Sequence, residues 1–256
     1  MIWGKQRPRL VFIHVPKTGG SSVSRSLERA YRFSKFHVNA GISWRAAGRL
    51  TDAPPGTFEY ERTLQTLRSG LMVHAAEGGT RFLTGHVWYT PAIRRLRNDG
   101  YLVMTCLRDP IDRLISHYLY NRFNAHSHVA TEDDIDAFLA SERARQLATV
   151  YVRYLSGGTD DNHYTSEAAV AKARAGLECM DQVGVLEDMD DFLRKASARI
   201  GAHLKSYHRR KSPALGREEY EIKNSFEVKS RVQALCHADL EVYEHAKRLA
   251  TRAPRR

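Results

Sequence analysis

Residues 16–22 read Pro-Lys-Thr-Gly-Gly-Ser-Ser and have the composition of a phosphate-binding loop. Glycines let the backbone approach a ligand closely, and a helix that begins beyond them points its first amide groups at an anion. In a Walker A loop the lysine follows the glycines, whereas here it precedes them. The alternative is a strand-to-helix turn with an incidental lysine. The candidate binding residues are Lys17, Thr18, Gly19, Gly20, Ser21 and Ser22.

A second candidate anion-binding segment begins at Arg108, directly after the apolar run 101–107. Asp109 suits an N-cap and Pro110 suits the first position of a helix, so a helix should begin here. Arg108 would then lie at the carboxyl end of a strand, where open α/β sheets bind ligands. Ser116 would lie two turns into that helix. The alternative is a capped helix start with a surface arginine.

One histidine is placed where it could act as a general base. His86 lies in the segment Thr84-Gly85-His86-Val87, at the end of a predicted strand, and histidine titrates in the range that proton removal from a hydroxyl requires. The chain has 12 histidines, so a merely hydrogen-bonded His86 is the alternative. His74 is the second candidate base, and His14 is expected to be a buried, hydrogen-bonded residue of the first strand.

The elements that must position these residues follow from apolar runs. Short runs predict strands, and helical patterns separate the strands and dominate the second half of the chain. Alternating strands and helices predict an α/β fold, with a central, mostly parallel sheet, right-handed crossovers and helices on both faces. No repeat or long linker interrupts the pattern, so residues 1–256 are interpreted as a single domain. The predicted strands span 9–15, 81–87, 101–107 and 182–186, and the predicted helices include 142–155 and 225–252.

Composition narrows the class of protein further. The 256 residues are 42% hydrophobic and 27% charged, as in a globular protein, and contain no apolar run of the roughly 20 residues that a membrane span requires. The opening residues lack the apolar stretch of a secretory signal. Three widely spaced cysteines exclude a disulfide framework. A cytoplasmic location is expected.

The net charge of +11 indicates either an anionic partner or a role in solubility. Arginine outnumbers lysine, and arginine suits the recognition of phosphate, sulfate and carboxylate groups. Nucleic acid is not the expected partner, since no helix-turn-helix, zinc or RNA-binding signature occurs. No metal site is expected either. His126 and His128 stand two residues apart without a supporting cysteine or carboxylate. With Arg122 they could instead line an acceptor cleft or a solvated loop.

The two anion-binding segments together resemble the elements of sulfotransferases that bind 3′-phosphoadenosine 5′-phosphosulfate (PAPS). Residues 16–22 look like the 5′-phosphosulfate-binding loop, and Arg108 with Ser116 looks like the 3′-phosphate-binding strand and helix. The similarity is closest to the carbohydrate sulfotransferases of the heparan sulfate 2-O-sulfotransferase group. There the loop also begins Pro-Lys-Thr, and a serine follows the arginine by eight residues, as here. Residues 183–192 resemble a strand-to-helix segment of that group, and the basic stretch 208–212 does so more weakly.

The resemblance implies a P-loop kinase/sulfotransferase-like fold, with PAPS as sulfuryl donor, 3′,5′-bisphosphoadenosine (PAP) as product and no metal. It implies that His86 is the catalytic base and that Lys17 neutralises charge on the departing nucleotide. Arg210, Lys211 and Ser212 would complete the nucleotide site. The acceptor would be a hydroxyl of a saccharide or glycolipid, and peripheral membrane contact stays open. Animal members are anchored in the Golgi, so the missing anchor predicts a bacterial, cytoplasmic relative.

Two other functions remain open from the sequence. A small-molecule or nucleotide kinase shares the strand–loop–helix, but it would need a Mg²⁺ ligand and usually a lysine after the glycines. A non-enzymatic binder of anionic glycan or nucleic acid would use the positive charge without needing Lys17, His86 and Arg108 together. Glu187 could contact the acceptor or could simply cap or pair within its own turn. The kind of acceptor and the oligomeric state are not specified by the sequence.

Overall fold

The computed structural model describes residues 7–123, 131–158, 163–205 and 216–252. Its described part contains the strands β1 (Arg9–Ile13), β2 (Lys35–Val38), β3 (Phe82–Gly85), β4 (Tyr101–Leu107) and β5 (Gln182–Val185). These strands form one five-stranded sheet in the order β2-β3-β1-β4-β5, with parallel pairing throughout. The sheet confirms the predicted α/β fold class.

Helices connect and cover the strands. Those before β4 are α1 (Gly20–Ala30), α2 (Ala40–Ala47), α3 (Phe58–Glu77) and α4 (Pro91–Arg95). Those between β4 and β5 are α5 (Pro110–Phe123), α6 (Ile135–Ala140), α7 (Glu142–Ala148), α8 (Val150–Ser156) and α9 (Glu167–Glu178). After β5 come α10 (Met189–Ile200), α11 (Arg217–Asn224), α12 (Phe226–Leu235) and α13 (His237–Thr251). Among these described helices, none is both long enough and apolar enough to cross a membrane.

Both faces of the sheet are buried, as the continuous apolar runs of its central strands require. On one face, Leu10 and Phe12 pack with residues of α1 and α10. On the other face, Val11 and Ile13 belong to a larger cluster that includes residues of α3, α5, α8, α9 and α13. Alternate residues of β1 therefore enter opposite cores, because successive side chains of a strand point to opposite faces.

The strand register brings the candidate functional residues to one edge of the sheet. Ile13 is aligned with Gly85 on one side and with Thr105 on the other. Leu107 is likewise aligned with Val185. Since all these strands are parallel, the residues that follow them emerge together at the carboxyl edge, where α/β sheets bind ligands.

Two predicted helices are interrupted in the structure. Residues 142–155 form α7 and α8, separated at Thr149, because the carboxylate of Asp239 accepts hydrogen bonds from the first amides of α8. Residues 225–252 form α12 and α13, which meet at Cys236, where the buried thiol contacts the carbonyl of Pro110. Both breaks depend on long-range contacts, which helical periodicity does not encode. The edge strand β2 was not predicted because two of its four residues are exposed and it lacks an apolar run.

The carboxylate that caps α8 also forms a buried ion pair. Asp239 Oδ2 lies 3.7 Å from Arg113 Nη2, and both side chains are 0% exposed. Asp239 accepts hydrogen bonds from the amides of Tyr151 at 2.9 Å and Val152 at 3.0 Å. Burial raises the pKa of Asp239 to about 6, although Arg113 and the two amides favour its charged form. The pair therefore joins α5, α8 and α13 at the centre of the helical half.

Replacing Asp239 with alanine should lower the free energy of unfolding by roughly 3–5 kcal/mol, because Arg113 is left as a buried charge without its acid. Asp136→Ala is the matched control, since it removes an acid from an exposed pair with Arg231. It should cost about 1 kcal/mol or less. Chemical denaturation measures both losses. Equal losses in the two variants would contradict the structural role of Asp239.

Candidate active site

The loop between β1 and α1 has an unusual backbone. Lys17 and Gly19 both have positive φ angles, of 66° and 73°. A positive φ is uncommon for a residue other than glycine, and such strained positions cluster at functional sites. Thr18 is fully buried, and its hydroxyl donates a hydrogen bond of 2.9 Å to the carbonyl of Val15. Thr18 thus fixes the loop that presents Lys17.

The two glycines let this loop lie directly against the ends of the strands. A Cβ atom on Gly20 would lie 2.2 Å from Cδ2 of His14, and one on Gly19 would lie 2.5 Å from Cδ1 of Leu186. Gly20 has no room for a side chain, and the positive φ of Gly19 disfavours one at that position. Residues 19–22 also carry no acidic group, so the positive end of the α1 dipole is not neutralised by its own first turn. This arrangement is suited to an anion.

Lys17 reaches across the site to α5. Its Nζ lies 3.8 Å from the ring centroid of Tyr120, in cation–π geometry. The partly exposed Tyr120 ring therefore orients the ammonium group between the loop and α5.

The hydrogen bonding of His86 defines which of its nitrogens can accept a proton. Its Nδ1 lies 2.7 Å from the backbone carbonyl of His14. Because a carbonyl only accepts, Nδ1 must carry the hydrogen, and Nε2 keeps its lone pair. The neutral ring is therefore in the tautomer that a general base requires.

The surroundings of His86 also favour its neutral form. Burial lowers the pKa of His86 to about 4, and the positive charges of Arg68 and His37 act in the same direction, while the hydrogen bond to His14 opposes them. Arg68 additionally donates a hydrogen bond of 2.9 Å from Nη1 to the carbonyl of His86. Nothing in the sequence pattern marked Arg68, which lies within the helical periodicity of α3.

The two other candidate histidines differ from His86 in position. His14 is buried as predicted, with its ring centroid 4.4 Å from that of His86, but its Nδ1 has no hydrogen-bond partner among the described residues. Burial, followed by the neighbouring His86, lowers the pKa of His14 well below its ordinary value. His74 lies exposed in the last turn of α3, just before β3 begins, and is therefore at the opposite edge of the sheet.

The Arg108 segment forms the helix start that the sequence predicts. The Asp109 carboxylate accepts hydrogen bonds from the amides of Ile111 at 2.9 Å and Asp112 at 3.1 Å, which caps α5. The guanidinium of Arg108 lies 3.4 Å from the carboxylate of Asp112. Ser116 is one turn beyond Asp112 on α5, so helical spacing places it on the face of α5 that carries the partner of Arg108.

Glu187 has a structural role in the described chain. One of its carboxylate oxygens accepts a hydrogen bond of 3.1 Å from the amide of Asp109, and the other accepts one of 2.7 Å from the hydroxyl of Tyr243. This contact pattern favours pairing over a contact with the acceptor.

His117, which follows Ser116 directly, was not identified from the sequence. It is half-buried, and burial lowers its pKa well below the ordinary value, with the charges of Arg113, Arg143 and Lys17 acting in the same direction. The sequence could have indicated it through spacing alone, because His117 lies one turn before Tyr120 and the two residues therefore share a face of α5.

Several predicted residues fall outside the described ranges, namely Arg210, Lys211, Ser212, His126 and His128. Arg122 is described in the last turn of α5, where its guanidinium lies 5.9 Å from the ring centroid of Phe123. Within the described ranges, no group of three or more His, Cys, Asp or Glu residues could hold a metal ion.

The fold is that of an α/β protein with a candidate anion-binding loop at the carboxyl edge of its sheet, and comparison with known proteins identifies its family. The sequence model of the sulfotransferase family matches residues 1–246, so the chain belongs to that family. Its structure is similar to mouse sulfotransferase SULT7A1 complexed with PAP, at 12% identity and a TM-score of 0.46, over 95% of this chain and 88% of that one.

A second similar structure comes from the PezAT chromosomal toxin-antitoxin system of Streptococcus pneumoniae. The identity is 11% and the TM-score is 0.35, over 94% of this chain and 89% of that one. A search of curated protein sequences gives no match.

The protonation state of His86 can be tested directly by nuclear magnetic resonance. At neutral pH, ring ¹⁵N shifts should show a protonated Nδ1 and an unprotonated Nε2, because Nδ1 donates to a carbonyl. The titration should have its midpoint near the pKa of about 4 that burial produces. His86→Ala identifies the signals by their loss. A midpoint near the ordinary histidine pKa of 6.5 would contradict the burial argument.

Proposed function

We propose that this sulfotransferase moves a sulfuryl group from PAPS to a hydroxyl of a saccharide or glycolipid acceptor. The supporting observation is the convergence at the carboxyl edge of the sheet, where the Lys17 loop, the neutral His86 and the Arg108 segment follow three adjacent parallel strands. We place the chain nearest to the heparan sulfate 2-O-sulfotransferase group, on the Pro-Lys-Thr loop and the spacing of Arg108 and Ser116.

The residues at this edge fit a nucleotide that carries both a 5′-phosphate and a 3′-phosphate. The loop leads into the start of α1, whose first turn carries no acidic residue, and the amides of residues 18–22 would hold the 5′-phosphate there. Arg108, just before α5, and Ser116, two turns into it, would hold the 3′-phosphate. When bound, PAPS supplies the sulfuryl group and leaves as PAP.

Transfer of the sulfuryl group requires one proton to leave the acceptor hydroxyl. We assign its removal to Nε2 of His86, whose lone pair is kept by the hydrogen bond from Nδ1 to His14. Lys17 would neutralise the negative charge that grows on the nucleotide as the bond to the sulfuryl group breaks. Positioning and electrostatics would then supply most of the rate enhancement.

We further propose that residues 1–256 act as one domain and that Arg210, Lys211 and Ser212 complete the nucleotide site. A cytoplasmic location is supported by the three free cysteines Cys106, Cys179 and Cys236, which suit a reducing compartment. Bacterial origin stays a prediction from the family resemblance.

The donor assignment predicts selective binding of PAP. Calorimetry should show PAP binding more tightly than AMP, and Arg108→Ala should remove much of that difference, since one charge-assisted hydrogen bond contributes roughly 1.5–3 kcal/mol. AMP binding should change little in the same variant because AMP lacks the 3′-phosphate. Equal affinities of the unmodified protein for PAP and AMP, or a preference for Mg·ATP, would instead favour a kinase.

The acceptor assignment predicts a specific loss of turnover in His86→Ala. Turnover should fall by roughly 10²–10⁴, the usual contribution of general-base catalysis, while PAP affinity stays nearly unchanged. His74→Ala is the matched control, because it removes an exposed histidine at the opposite edge of the sheet. Radiolabelled PAPS with a panel of saccharide and glycolipid acceptors measures both variants.

The pH dependence of kcat/KM is a further test of His86 as the general base. A base with a lowered pKa is already unprotonated at neutral pH, so kcat/KM should be level between about pH 6 and 8 and should fall only as the pH approaches the pKa of His86. Full activity of His86→Ala, or a large loss of turnover in His74→Ala, would contradict the assignment of the general base to His86.

A further inference from the structure

The backbone of Arg108 is held by a single tyrosine hydroxyl from α8. The Tyr151 oxygen lies 3.0 Å from the Arg108 amide nitrogen and accepts its hydrogen bond. The same hydroxyl donates its hydrogen to the Arg108 carbonyl. One side chain thereby satisfies both polar backbone groups of the residue that we assign to the 3′-phosphate.

Arg108 needs such a partner because it lies past the paired part of its strand. The pairing of β4 with β1 extends only to Thr105, and its pairing with β5 extends only to Leu107. The helix α5 begins two residues later, at Pro110. Buried backbone amides and carbonyls without partners are costly, and here neither the sheet nor the helix supplies them.

Tyr151 is itself held rigidly. Its amide donates to the carboxylate of Asp239, and the Arg113 guanidinium lies 5.3 Å from its ring centroid. Its side chain is fully buried, as are those of Arg113 and Asp239. The hydroxyl therefore has one fixed position, and it transmits that position to the Arg108 backbone.

We infer that Tyr151 is a positioning residue for recognition of the 3′-phosphate, acting through the backbone of Arg108. The inference rests on the proposed function, since it presumes that Arg108 binds that phosphate. Tyr151 does not contact the nucleotide in this scheme. Its hydroxyl fixes the backbone from which the Arg108 side chain extends. The guanidinium can then bind the phosphate without the cost of ordering that backbone.

The chemical state of Tyr151 agrees with a double role as donor and acceptor. Burial raises the pKa of Tyr151 well above the ordinary value, and the nearby Arg113 and the hydrogen bond to Arg108 oppose that rise. The phenol therefore keeps its hydrogen at any pH at which the enzyme would be assayed. A phenolate could accept from the amide of Arg108 but could not donate to its carbonyl.

Tyr151→Phe tests the inference, because it keeps the ring beneath Arg113 and removes only the hydroxyl. We expect PAP binding to weaken by roughly 5- to 30-fold, because the freed Arg108 backbone must be ordered when the phosphate binds, at a cost of about 1–2 kcal/mol. AMP binding should stay within about 2-fold, since AMP makes no contact that depends on Arg108. In an Arg108→Ala background, Tyr151→Phe should have little further effect on PAP.

Tyr118→Phe is the matched control. Tyr118 is equally buried, and its hydroxyl donates a hydrogen bond of 3.0 Å to a backbone carbonyl, that of Asp133. Tyr118→Phe removes a buried hydroxyl that does not contact Arg108. The ratio of PAP to AMP affinity in this variant should therefore match that of the unmodified protein. Equal weakening of PAP and AMP by Tyr151→Phe, or unchanged PAP binding, would overturn the inference.

Amide hydrogen exchange in the unmodified protein is a second test that needs no variant to fold. The Arg108 amide should be protected by its bond to Tyr151, and exchange as fast as in an unstructured peptide would overturn the inference. The proposed function fails separately, if the unmodified protein shows no preference for PAP over AMP. If the unmodified protein prefers PAP over AMP and Tyr151→Phe keeps that preference, the positioning role of Tyr151 fails while the proposed function stands.

Discussion

The site depends on the parallel register that aligns Ile13 of β1 with Gly85 of β3. This alignment places His14 beside His86, so that the carbonyl of one fixes the ring of the other at 2.7 Å. The ring of His14 in turn lies where any side chain on Gly20 would clash. A slip of one residue would send each side chain to the opposite face and separate the loop from the histidine. The same strand register therefore positions both the candidate base and the candidate anion-binding loop.

Buried hydroxyls help to hold this register. Thr84 and Thr105 lie in the strands on either side of β1, and their hydroxyls donate to the carbonyls of Phe12 and Ile13. The same low-polarity environment keeps His86 neutral, because burial penalises its charged form more than the hydrogen bond to His14 favours it. The positive charge of Arg68 acts in the same direction, so a cationic edge that suits an anion also favours the unprotonated form of the candidate base.

The sequence predicted what local pattern encodes and missed what distant contacts impose. Apolar runs and turn residues were sufficient for four of the five described strands, for the glycine loop and for the capping of α5 by Asp109. The break at Thr149 was not predictable, because it depends on Asp239, which is distant in the chain. Arg68 was missed for a related reason. It occupies a position of ordinary helical periodicity in α3, and only the fold shows that it donates to the carbonyl of His86.

Helix α13 shows how the helical half can affect a site at the edge of the sheet. Its Tyr243 donates to Glu187, which accepts from the amide of Asp109. Its Asp239 accepts from the amide of Tyr151, whose hydroxyl holds Arg108. Two adjacent backbone positions are thus fixed from one helix by separate routes. The packing of α13 therefore determines the backbone position of Arg108, on which its proposed contact with the 3′-phosphate depends.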